Sequence, residues 1–414
     1  MANSASARRS PPTAMRGTVL WAATRKGLFR LEPEGSNGQP WRIVRVSFVG
    51  QPVTMLLSDR RDGAIYAALN LGHFGVKLHR SDDDGDTWTE VAAPVYPQSN
   101  GSTTPVKAAV ELPDHESPSE SGTAPDAGSD TAATSAPNAA AAGPAVKQIW
   151  SLEAAGPEAA DGLWCGTLPG GLFHSSDRGA SWTLNASLWE QPERKNWMGG
   201  GYDVPGIHSI CVDPRDPRHV LVGVSCGGVW RTRDSGSTWS QTAHGMIADY
   251  MPPQRREDPQ IQDPHRMVQC AADPEVLWVQ HHNGVFKSTN GAARWERIET
   301  IRPSGFGFGV AVHPRDSQTA WFVPAIKDEL RVPVDGRLVV ARTRDGGHTC
   351  EMFSTGLPQE HCYDLIYRHA LEICPDGNQL AIGSTTGNLW TSSDAGETWA
   401  QVPNHLPPIY ALRF

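Results

Sequence analysis

Ser-Asp-Asp-Asp-Gly-Asp-Thr-Trp, residues 81–88, is a phrase whose framework returns along this chain. Its fixed positions are a Ser or Thr, an Asp two residues later, a Gly four residues later and a Trp seven residues later. Three full copies and two partial copies follow at 175–182, 232–239, 392–399, 288–295 and 343–350. Recurrence of one unit predicts a repeat architecture, because each unit must bury its apolar face against its neighbours.

Each phrase comes after a short apolar run, such as Gly171-Leu172-Phe173 or Gly228-Val229-Trp230. These runs are typical of strands, whereas the phrase itself is typical of a turn. An Asp side chain can accept backbone N–H bonds two residues on, and Gly supplies a positive φ. The Trp then begins the next strand and packs over the hairpin. We therefore expect a structural role for these Asp residues, neither catalytic nor calcium-binding.

The spacing of the phrases predicts the architecture. Successive closing positions are 57, 56, 55 and 49 residues apart, counted between Trp182, Trp239, Trp295, Cys350 and Trp399. A period of about 50 residues is typical of a four-stranded propeller blade. A further unit at 19–41 keeps the strand pattern but lacks the phrase and an opening strand, which Ile409–Phe414 would supply. The sequence predicts an all-β, seven-bladed β-propeller closed by its C-terminal strand, with six or eight blades as alternatives.

The repeated phrase resembles the Asp-box, or BNR repeat, of sialidases and other propellers. The resemblance extends over nearly the whole chain and implies membership of the bacterial sialidase-like or glycosyl-hydrolase-like group. Sialidases also carry a Phe/Tyr-Arg-Ile-Pro phrase, three arginines that hold a carboxylate, a Tyr–Glu pair and an Asp. Here the corresponding segment reads Trp21-Ala22-Ala23-Thr24-Arg25-Lys26, and Tyr363 is followed by Asp364 rather than paired with a placed Glu. We therefore expect the fold without the sialidase catalytic set.

Composition divides the chain into three parts. Residues 1–17 are rich in Ser, Ala and Arg, and we expect a disordered tail there. Residues 99–146 are rich in Ser, Thr, Ala, Pro and Gly, which predicts a disordered insert between the second and third blades. The propeller is expected to occupy 18–414 as a single domain.

Charge and apolar content restrict the partners. The formal net charge is -9 without a basic cluster, so no nucleic-acid surface is indicated. No apolar run is long enough to span a membrane, and residues 1–17 lack the apolar core of a secretory signal. Seven cysteines without closely spaced pairs predict free thiols and a cytoplasmic location. The sequence indicates no oligomeric state.

Propeller geometry predicts where a ligand would bind. The beginning of each inner strand and the loop between the second and third strands lie on one face near the axis. Side chains from several blades converge there, on the face opposite the repeated phrase. Six residues expected at this face are candidate contacts for a small polar or sugar-like ligand: Arg25, Lys26, Asn70, Trp197, Arg266 and Lys327.

Carboxylates at the same face suggest glycosidase-like chemistry, which needs two carboxyl groups at a suitable separation. The catalytic candidates are Asp328, Glu329, Tyr363 and Asp364. Other acids, such as Asp203 and Asp249, are equally eligible, so the pattern does not single out a pair.

Histidines at the inner-strand starts suggest a metal centre, because imidazole is the commonest transition-metal ligand. The candidate ligands are His73, His208, His281 and His369. His208 and His369 occupy equivalent positions, each five residues before an Asp-Pro or Cys-Pro pair. Adjacent strand residues point in opposite directions, so at most one of His281 and His282 would face the axis. The alternative for each histidine is a hydrogen-bonded, partly buried side chain without a metal.

Three functional hypotheses follow. The first is a propeller that binds or hydrolyses a small polar or sugar-like ligand at the axial face. The second is a metal-dependent enzyme with axial histidine ligands. The third is a non-catalytic platform for protein interaction or assembly, which predicts an exposed patch and no polar pocket.

Overall fold

The structure is a computed structural model that describes residues 19–34, 40–97, 144–157, 159–200, 202–403 and 405–414. The predicted tail at 1–17 lies outside these residues. So does the predicted insert at 99–146, apart from its last three positions.

Antiparallel strands account for nearly all of the regular structure in the described residues. The first fourteen are β1 (Leu20–Thr24), β2 (Gly27–Pro33), β3 (Trp41–Ser47), β4 (Val53–Ser58), β5 (Ile65–Asn70), β6 (Val76–Ser81), β7 (Thr89–Val91), β8 (Gln148–Ala154), β9 (Leu163–Leu168), β10 (Leu172–Ser175), β11 (Thr183–Leu184), β12 (Ile207–Val212), β13 (Val220–Val224) and β14 (Gly228–Thr232).

The second half of the chain repeats this pattern. Its strands are β15 (Ser240–Gln241), β16 (Pro264–Gln269), β17 (Leu277–His281), β18 (Gly284–Ser288), β19 (Glu296–Ile298), β20 (Gly307–His313), β21 (Asp316–Pro324), β22 (Val340–Thr343), β23 (Glu351–Phe353), β24 (Leu371–Ile373), β25 (Leu380–Gly383), β26 (Leu389–Ser392), β27 (Ala400–Gln401) and β28 (Ile409–Arg413). The described helices are short: α1 (Ala186–Trp189) and 3₁₀ turns at Gly72–Phe74, Pro192–Asn196, Pro259–Ile261 and Val334–Gly336.

The strands form seven four-stranded sheets, which are the blades of a propeller. Their orders are β28-β1-β2-β3, β4-β5-β6-β7, β8-β9-β10-β11, β12-β13-β14-β15, β16-β17-β18-β19, β20-β21-β22-β23 and β24-β25-β26-β27. The first strand of each order contacts its counterparts in the two adjacent blades, so these seven strands surround the axis. The predicted seven-bladed, all-β fold is confirmed.

Ring closure depends on the C-terminal strand. β28 pairs antiparallel with β1, placing Arg413 opposite Trp21 and Ala411 opposite Ala23. It also contacts the inner strands β4 and β24 of the neighbouring blades. The predicted completion of the first blade by the C-terminus is confirmed, and closure leaves the first blade without an open inner edge.

The core lies between adjacent blades. One buried cluster joins the first, sixth and seventh blades and includes Trp41, Trp321, Trp390 and Phe414. Each large apolar side chain buried in this way contributes roughly 1.5–3 kcal/mol. Most of the chain's tryptophans therefore hold blades together, which explains their abundance without a ligand.

The repeated phrase forms the same hydrogen-bonded turn in every copy. In the first, the Ser81 hydroxyl donates to Asp83 at 2.7 Å and accepts the Gly85 N–H at 2.8 Å. The Asp83 carboxylate accepts from the backbone N–H and the hydroxyl of Thr87, at 2.8 and 2.6 Å. The carboxylate thus takes its backbone bond from four residues on, not two as we expected, because a second left-handed residue, Asp84, precedes Gly85.

The tryptophan that ends the turn also links neighbouring blades. The Trp182 indole N–H donates to the Ala92 carbonyl of the preceding blade at 2.8 Å, and Trp295 donates to Thr242 at 2.7 Å. Trp399 instead donates to Gly396 within its own turn. The indole was expected to pack over its own hairpin, but in most blades it also fixes the spacing to the previous one.

All seven cysteines are free, six of them buried. This confirms the expected free thiols. Among the described residues, none of the helices combines the length and apolar character needed to cross a membrane.

Candidate functional site

Arg368 lies at the start of the seventh blade's inner strand, between aromatic rings from two other blades. Its guanidinium carbon is 4.9 Å from the ring centre of Trp150 and 5.2 Å from that of Phe308. The residue is only 9% exposed, and its Nε has no hydrogen-bond partner. Among the described residues, the guanidinium has neither a hydrogen bond nor an ion pair with a carboxylate. Burial lowers its pKa, with Asp263 opposing that effect.

Aromatic side chains extend the walls on either side of Arg368. Tyr202 meets Trp150 edge to face at 5.3 Å, and Tyr367 meets Phe308 at 5.2 Å. Burial raises the pKa of the Tyr202 phenol. Cation–π contact with two rings stabilises a guanidinium that lacks an anionic partner, while leaving its N–H groups free to bind a ligand.

A carboxylate and two imidazoles converge in the fifth blade. Oδ2 of Asp263 is 3.4 Å from Nε2 of His265 and 3.5 Å from Nδ1 of His282. Asp263 and His265 are buried, whereas the His282 side chain is 23% exposed. One potential ligand atom from each residue lies within 4.8 Å of the others. This Asp–His–His cluster is the only such group of three or more His, Cys, Asp or Glu within the described ranges.

Neighbouring backbone groups fix the cluster. Nδ1 of His265 donates to the Gly307 carbonyl at 2.7 Å, and Oδ1 of Asp263 accepts the Cys226 N–H at 3.1 Å. The His282 N–H donates to the Asp263 carbonyl at 3.0 Å. The three side chains are therefore held in place by the inner strand β16, the β17–β18 turn and the adjacent blades.

Burial and pairing act in opposite directions on the pKa values of the cluster. Burial would raise the pKa of Asp263, but hydrogen bonding to His265 and His282 outweighs it and lowers the pKa well below its usual range. Burial lowers the pKa of His265 despite the carboxylate. For His282, burial is outweighed by hydrogen bonding to Asp263, so its pKa is raised. His282 is thus the ring that more readily carries a proton.

Farther along the inner strands, charged side chains surround the axis. Nη1 of Arg413 lies 3.6 Å from the Glu372 carboxylate. Burial raises the pKa values of Glu372 and Glu153 and lowers that of Arg266. Arg266, a predicted ligand contact, belongs to this deeper group, and its charge acts on Arg413, Glu153 and Glu372.

The predicted catalytic residues are spread over separate environments. Asp328 accepts from Arg331 at 2.6 Å, and Glu329 pairs with Lys327 at 3.4 Å on the surface. Tyr363 is 66% exposed. Asp364 is buried and accepts from Asn388 at 2.8 Å as well as from Thr386. Its carboxylate is thus committed to holding a loop.

The remaining predicted ligand contacts occupy other parts of the ring. Arg25 and Lys26 are exposed in the β1–β2 turn, and Lys327 is exposed beside Glu329. Asn70 donates to the Lys147 carbonyl at 3.0 Å. Trp197 is buried, edge to face with Trp230 at 5.8 Å.

The four predicted metal ligands do not share a centre within the described residues. His73 is exposed on a 3₁₀ turn, and both ring nitrogens of His281 lie 3.0 Å from backbone N–H groups. His208 and His369 are buried; Nε2 of His208 and both ring nitrogens of His369 lack hydrogen-bond partners, and burial lowers both pKa values well below their usual range. Neither joins a group of three potential ligands.

Sequence analysis missed Asp263, the residue that links the two histidines. A signal was present: Asp263-Pro264-His265 places a carboxylate and an imidazole two residues apart where an inner strand begins, and such residues share a face. The partner His282 was recognised only as an alternative to His281.

A groove of about 430 Å³ lies between the third and fourth blades, near the repeated turns. Trp164, Asn185 and Ser235 are among its lining residues. None of its lining residues belongs to the Asp–His–His cluster or to the walls around Arg368.

Comparisons with known proteins support the fold. The chain is a seven-bladed propeller similar to GH74 glycoside hydrolases. The GH74 xyloglucanase from Xanthomonas campestris aligns over 94% of this chain and 53% of its own, with 17% identity and a TM-score of 0.58. A functionally unknown protein from Desulfotomaculum acetoxidans aligns over 95% of this chain and 98% of its own, with 10% identity and a TM-score of 0.53.

Sequence similarity is confined to a shorter stretch. A xyloglucanase of Acetivibrio thermocellus is 34% identical over 76 residues, which are 17% of this chain and 8% of that protein. The chain spans about half the length of the GH74 xyloglucanase from Xanthomonas campestris. No protein-family model matches the sequence.

Proposed function

We propose that this chain is an Asp-box propeller that binds a small sugar-like ligand bearing an acidic group, at the face where the inner strands begin. The observation that carries the proposal is Arg368, a buried guanidinium without an anionic partner among the described residues, placed between Trp150 and Phe308. A guanidinium binds carboxylates through parallel N–H bonds, and aromatic walls around a few polar groups are typical of ligand sites.

Three further observations support this function. The tyrosines beside Arg368 offer hydroxyl groups next to apolar ring surface, which suits a ligand with both hydroxyl groups and a C–H face. The structural neighbours include xyloglucanases, whose named substrate is a polysaccharide. The sialidase phrase is absent from the N-terminal segment, so the ligand site differs from that of a sialidase.

Binding rather than hydrolysis is the function that the carboxylates support. A glycosidase needs a general acid with a raised pKa, and the pKa of Asp263 is lowered by its histidines. Asp328 is paired with Arg331 and Asp364 with Asn388 and Thr386. Burial raises the pKa values of Glu153 and Glu372, but these two carboxyl groups lie farther along the inner strands, in the charged group that contains Arg266 and Arg413.

The test uses isothermal titration with two probes, neutral xyloglucan oligosaccharides and acidic oligogalacturonates. We expect the acidic probe to bind, and Arg368→Met to weaken its affinity at least about tenfold, because a charge-assisted bidentate contact is lost. Arg218→Gln is the matched control, since Arg218 is an exposed arginine paired with Asp216 near the repeated turns.

Equal binding by wild type and Arg368→Met would refute the role of Arg368. If neither probe binds, the proposed ligand class is contradicted and the hypothesis of an interaction platform is favoured.

A further inference from the structure

The Asp–His–His cluster of Asp263, His265 and His282 has a hydrogen-bonding conflict. The Gly307 carbonyl can only accept, so Nδ1 of His265 carries the proton of that 2.7 Å bond. The hydrogen bond from His265 to Asp263 therefore requires a second proton, on Nε2; in the neutral ring Nε2 presents a lone pair to Oδ2 of Asp263, 3.4 Å away. Two acceptors facing each other in a buried site are unfavourable unless a proton or a cation lies between them.

The distances between the potential ligand atoms of the cluster match those in a metal coordination sphere. Metal–nitrogen and metal–oxygen bonds of about 2.1 Å at a tetrahedral angle place neighbouring ligand atoms about 3.4 Å apart. The carboxylate oxygen lies 3.4 and 3.5 Å from the two imidazole nitrogens. All three atoms lie within 4.8 Å of one another, so one ion can contact all of them after small side-chain adjustments.

The surroundings have the features of a built metal site. Nδ1 of His265 is held by a backbone carbonyl and Oδ1 of Asp263 by a backbone N–H, which orients both ligands. The partly exposed ring of His282 gives the cluster access to solvent, while Phe306 and Phe308 pack against His265 at 5.6 and 4.5 Å. Two imidazoles and one carboxylate suit divalent zinc or iron and leave coordination positions open.

We propose that Asp263, His265 and His282 bind one divalent first-row transition-metal ion. The site is independent of the sugar-like ligand, although Arg368 lies close enough for Asp263 to influence its charge. The donor set includes a carboxylate and contains none of the four histidines predicted from sequence, which are His73, His208, His281 and His369.

The experiment treats the full-length protein with a chelator, dialyses it, and titrates it with Zn²⁺ alone and then with Co²⁺ alone. We expect one equivalent of each ion by calorimetry and elemental analysis, with a visible Co²⁺ absorption spectrum that reports nitrogen and oxygen ligands. His282→Gln should weaken Zn²⁺ affinity at least about tenfold, because a direct ligand contributes no less than its supporting groups.

Matched controls separate this site from the alternatives. His208→Gln and His369→Gln change buried histidines outside the cluster and should retain one equivalent of metal. Asp263→Asn should also lose metal; because that change is buried, His282→Gln provides the same test at a more exposed position.

Three outcomes overturn the proposal: no stoichiometric metal, unchanged affinity in a folded His282→Gln variant, or loss of metal in the two controls alone. Oligogalacturonate titration of the metal-free protein is carried out separately. Failure of the metal site with intact oligosaccharide binding would leave the proposed ligand function standing, and the reverse would leave the metal site standing.

Discussion

The two faces of the ring differ in how their polar side chains are hydrogen-bonded. On the face of the repeated turns, each carboxylate bonds to groups within four residues of itself, as Asp177 does with Ser175 and Ser181. On the face where inner strands begin, Arg368 and His369 are buried with nitrogen atoms that have no partner. The Asp or Asn side chain of each turn is hydrogen-bonded locally in a unit that occurs six times, whereas Arg368 and His369 lie among side chains from different blades.

This difference indicates that the turns stabilise the fold, whereas the opposite face is the candidate for ligand binding. Buried polar groups without partners cost free energy, so a protein retains them where they bind something. Groups with complete hydrogen bonding, such as those of the turns, stabilise the fold and have little left to offer a ligand. Four predictions test this contrast.

Removal of Ile409–Phe414 is expected to have the largest effect. The segment supplies the inner strand of the first blade, and Ile409, Ala411 and Leu412 are fully buried. Without it the ring stays open and cooperative folding is lost, which far-UV circular dichroism during heating and size-exclusion chromatography would show. A truncated chain that remains a stable monomer would contradict the closing role of β28.

Trp295→Phe should produce the next largest loss. The Trp295 indole is 1% exposed and donates to the Thr242 carbonyl of the preceding blade. The variant leaves that buried carbonyl unpaired and removes part of a packed ring, at a cost of about 2–4 kcal/mol in the free energy of unfolding. Trp399→Phe is the comparison, because its indole bonds within its own turn. Equal losses in urea unfolding would argue against the inter-blade bond.

Acid should weaken the repeated turns. Hydrogen bonds from Thr or Ser side chains and backbones lower the pKa values of Asp83, Asp177, Asp234 and Asp345 to about 2. In the unfolded chain the pKa values of these carboxyl groups are about 3.9, so their contribution to the free energy of unfolding is complete above that pH. It is lost as the pH falls towards 2, where the folded carboxylates protonate.

Melting temperature measured between pH 5 and pH 2 tests this acid dependence. Asp177→Asn should lower stability at pH 5 and make the decline towards pH 2 shallower, since one titrating group is gone. The fifth blade already carries Asn290 at the equivalent position, where it accepts from Ser288 and Arg294. Asn290→Asp should therefore steepen the decline. An unchanged pH profile in both variants would count against the role of these carboxylates.

Arg368→Met should have the smallest effect on stability, or one of opposite sign. The side chain is buried between Trp150 and Phe308 without an anionic partner in the described structure, so a thioether of similar length keeps the packing and removes an uncompensated charge. We expect an unchanged or slightly raised melting temperature by calorimetry, together with the loss of ligand affinity proposed above. Strong destabilisation would show that the arginine has a structural role.

Much of the fold was predictable because it depends on neighbouring residues. The turn needs only a hydroxyl, a carboxylate and a left-handed residue within eight positions, and its spacing fixes the blade length. The missing strand of the first unit indicated closure by the C-terminus, which β28 confirms. The finer hydrogen bonding was not predicted, since Asp83 reaches four residues on only after Asp84 takes a positive φ.

Sequence analysis predicted the face of the propeller on which the candidate site lies, but not the residues that form it. Sequence analysis placed Arg266, His208 and His369 near the axis, but it did not single out Arg368 or include Asp263. Asp364 was a catalytic candidate in the sequence. In the structure it is buried, and its carboxylate accepts hydrogen bonds from Asn388 and Thr386. Whether a polar side chain is satisfied depends on residues distant in the chain, and no local pattern records that.

Sequence alone was enough to predict the repeated turns, the blade length and the strand that closes the ring, and to favour seven blades, because each rests on short-range spacing and on apolar periodicity. Only the tertiary structure decided that Asp263, His265 and His282 meet and that Arg368 lies between rings from two other blades. Trp150 and Arg368, for example, are 218 positions apart in the chain. The physical reason is that ring closure, rather than any local preference, sets the distances between side chains at the axis.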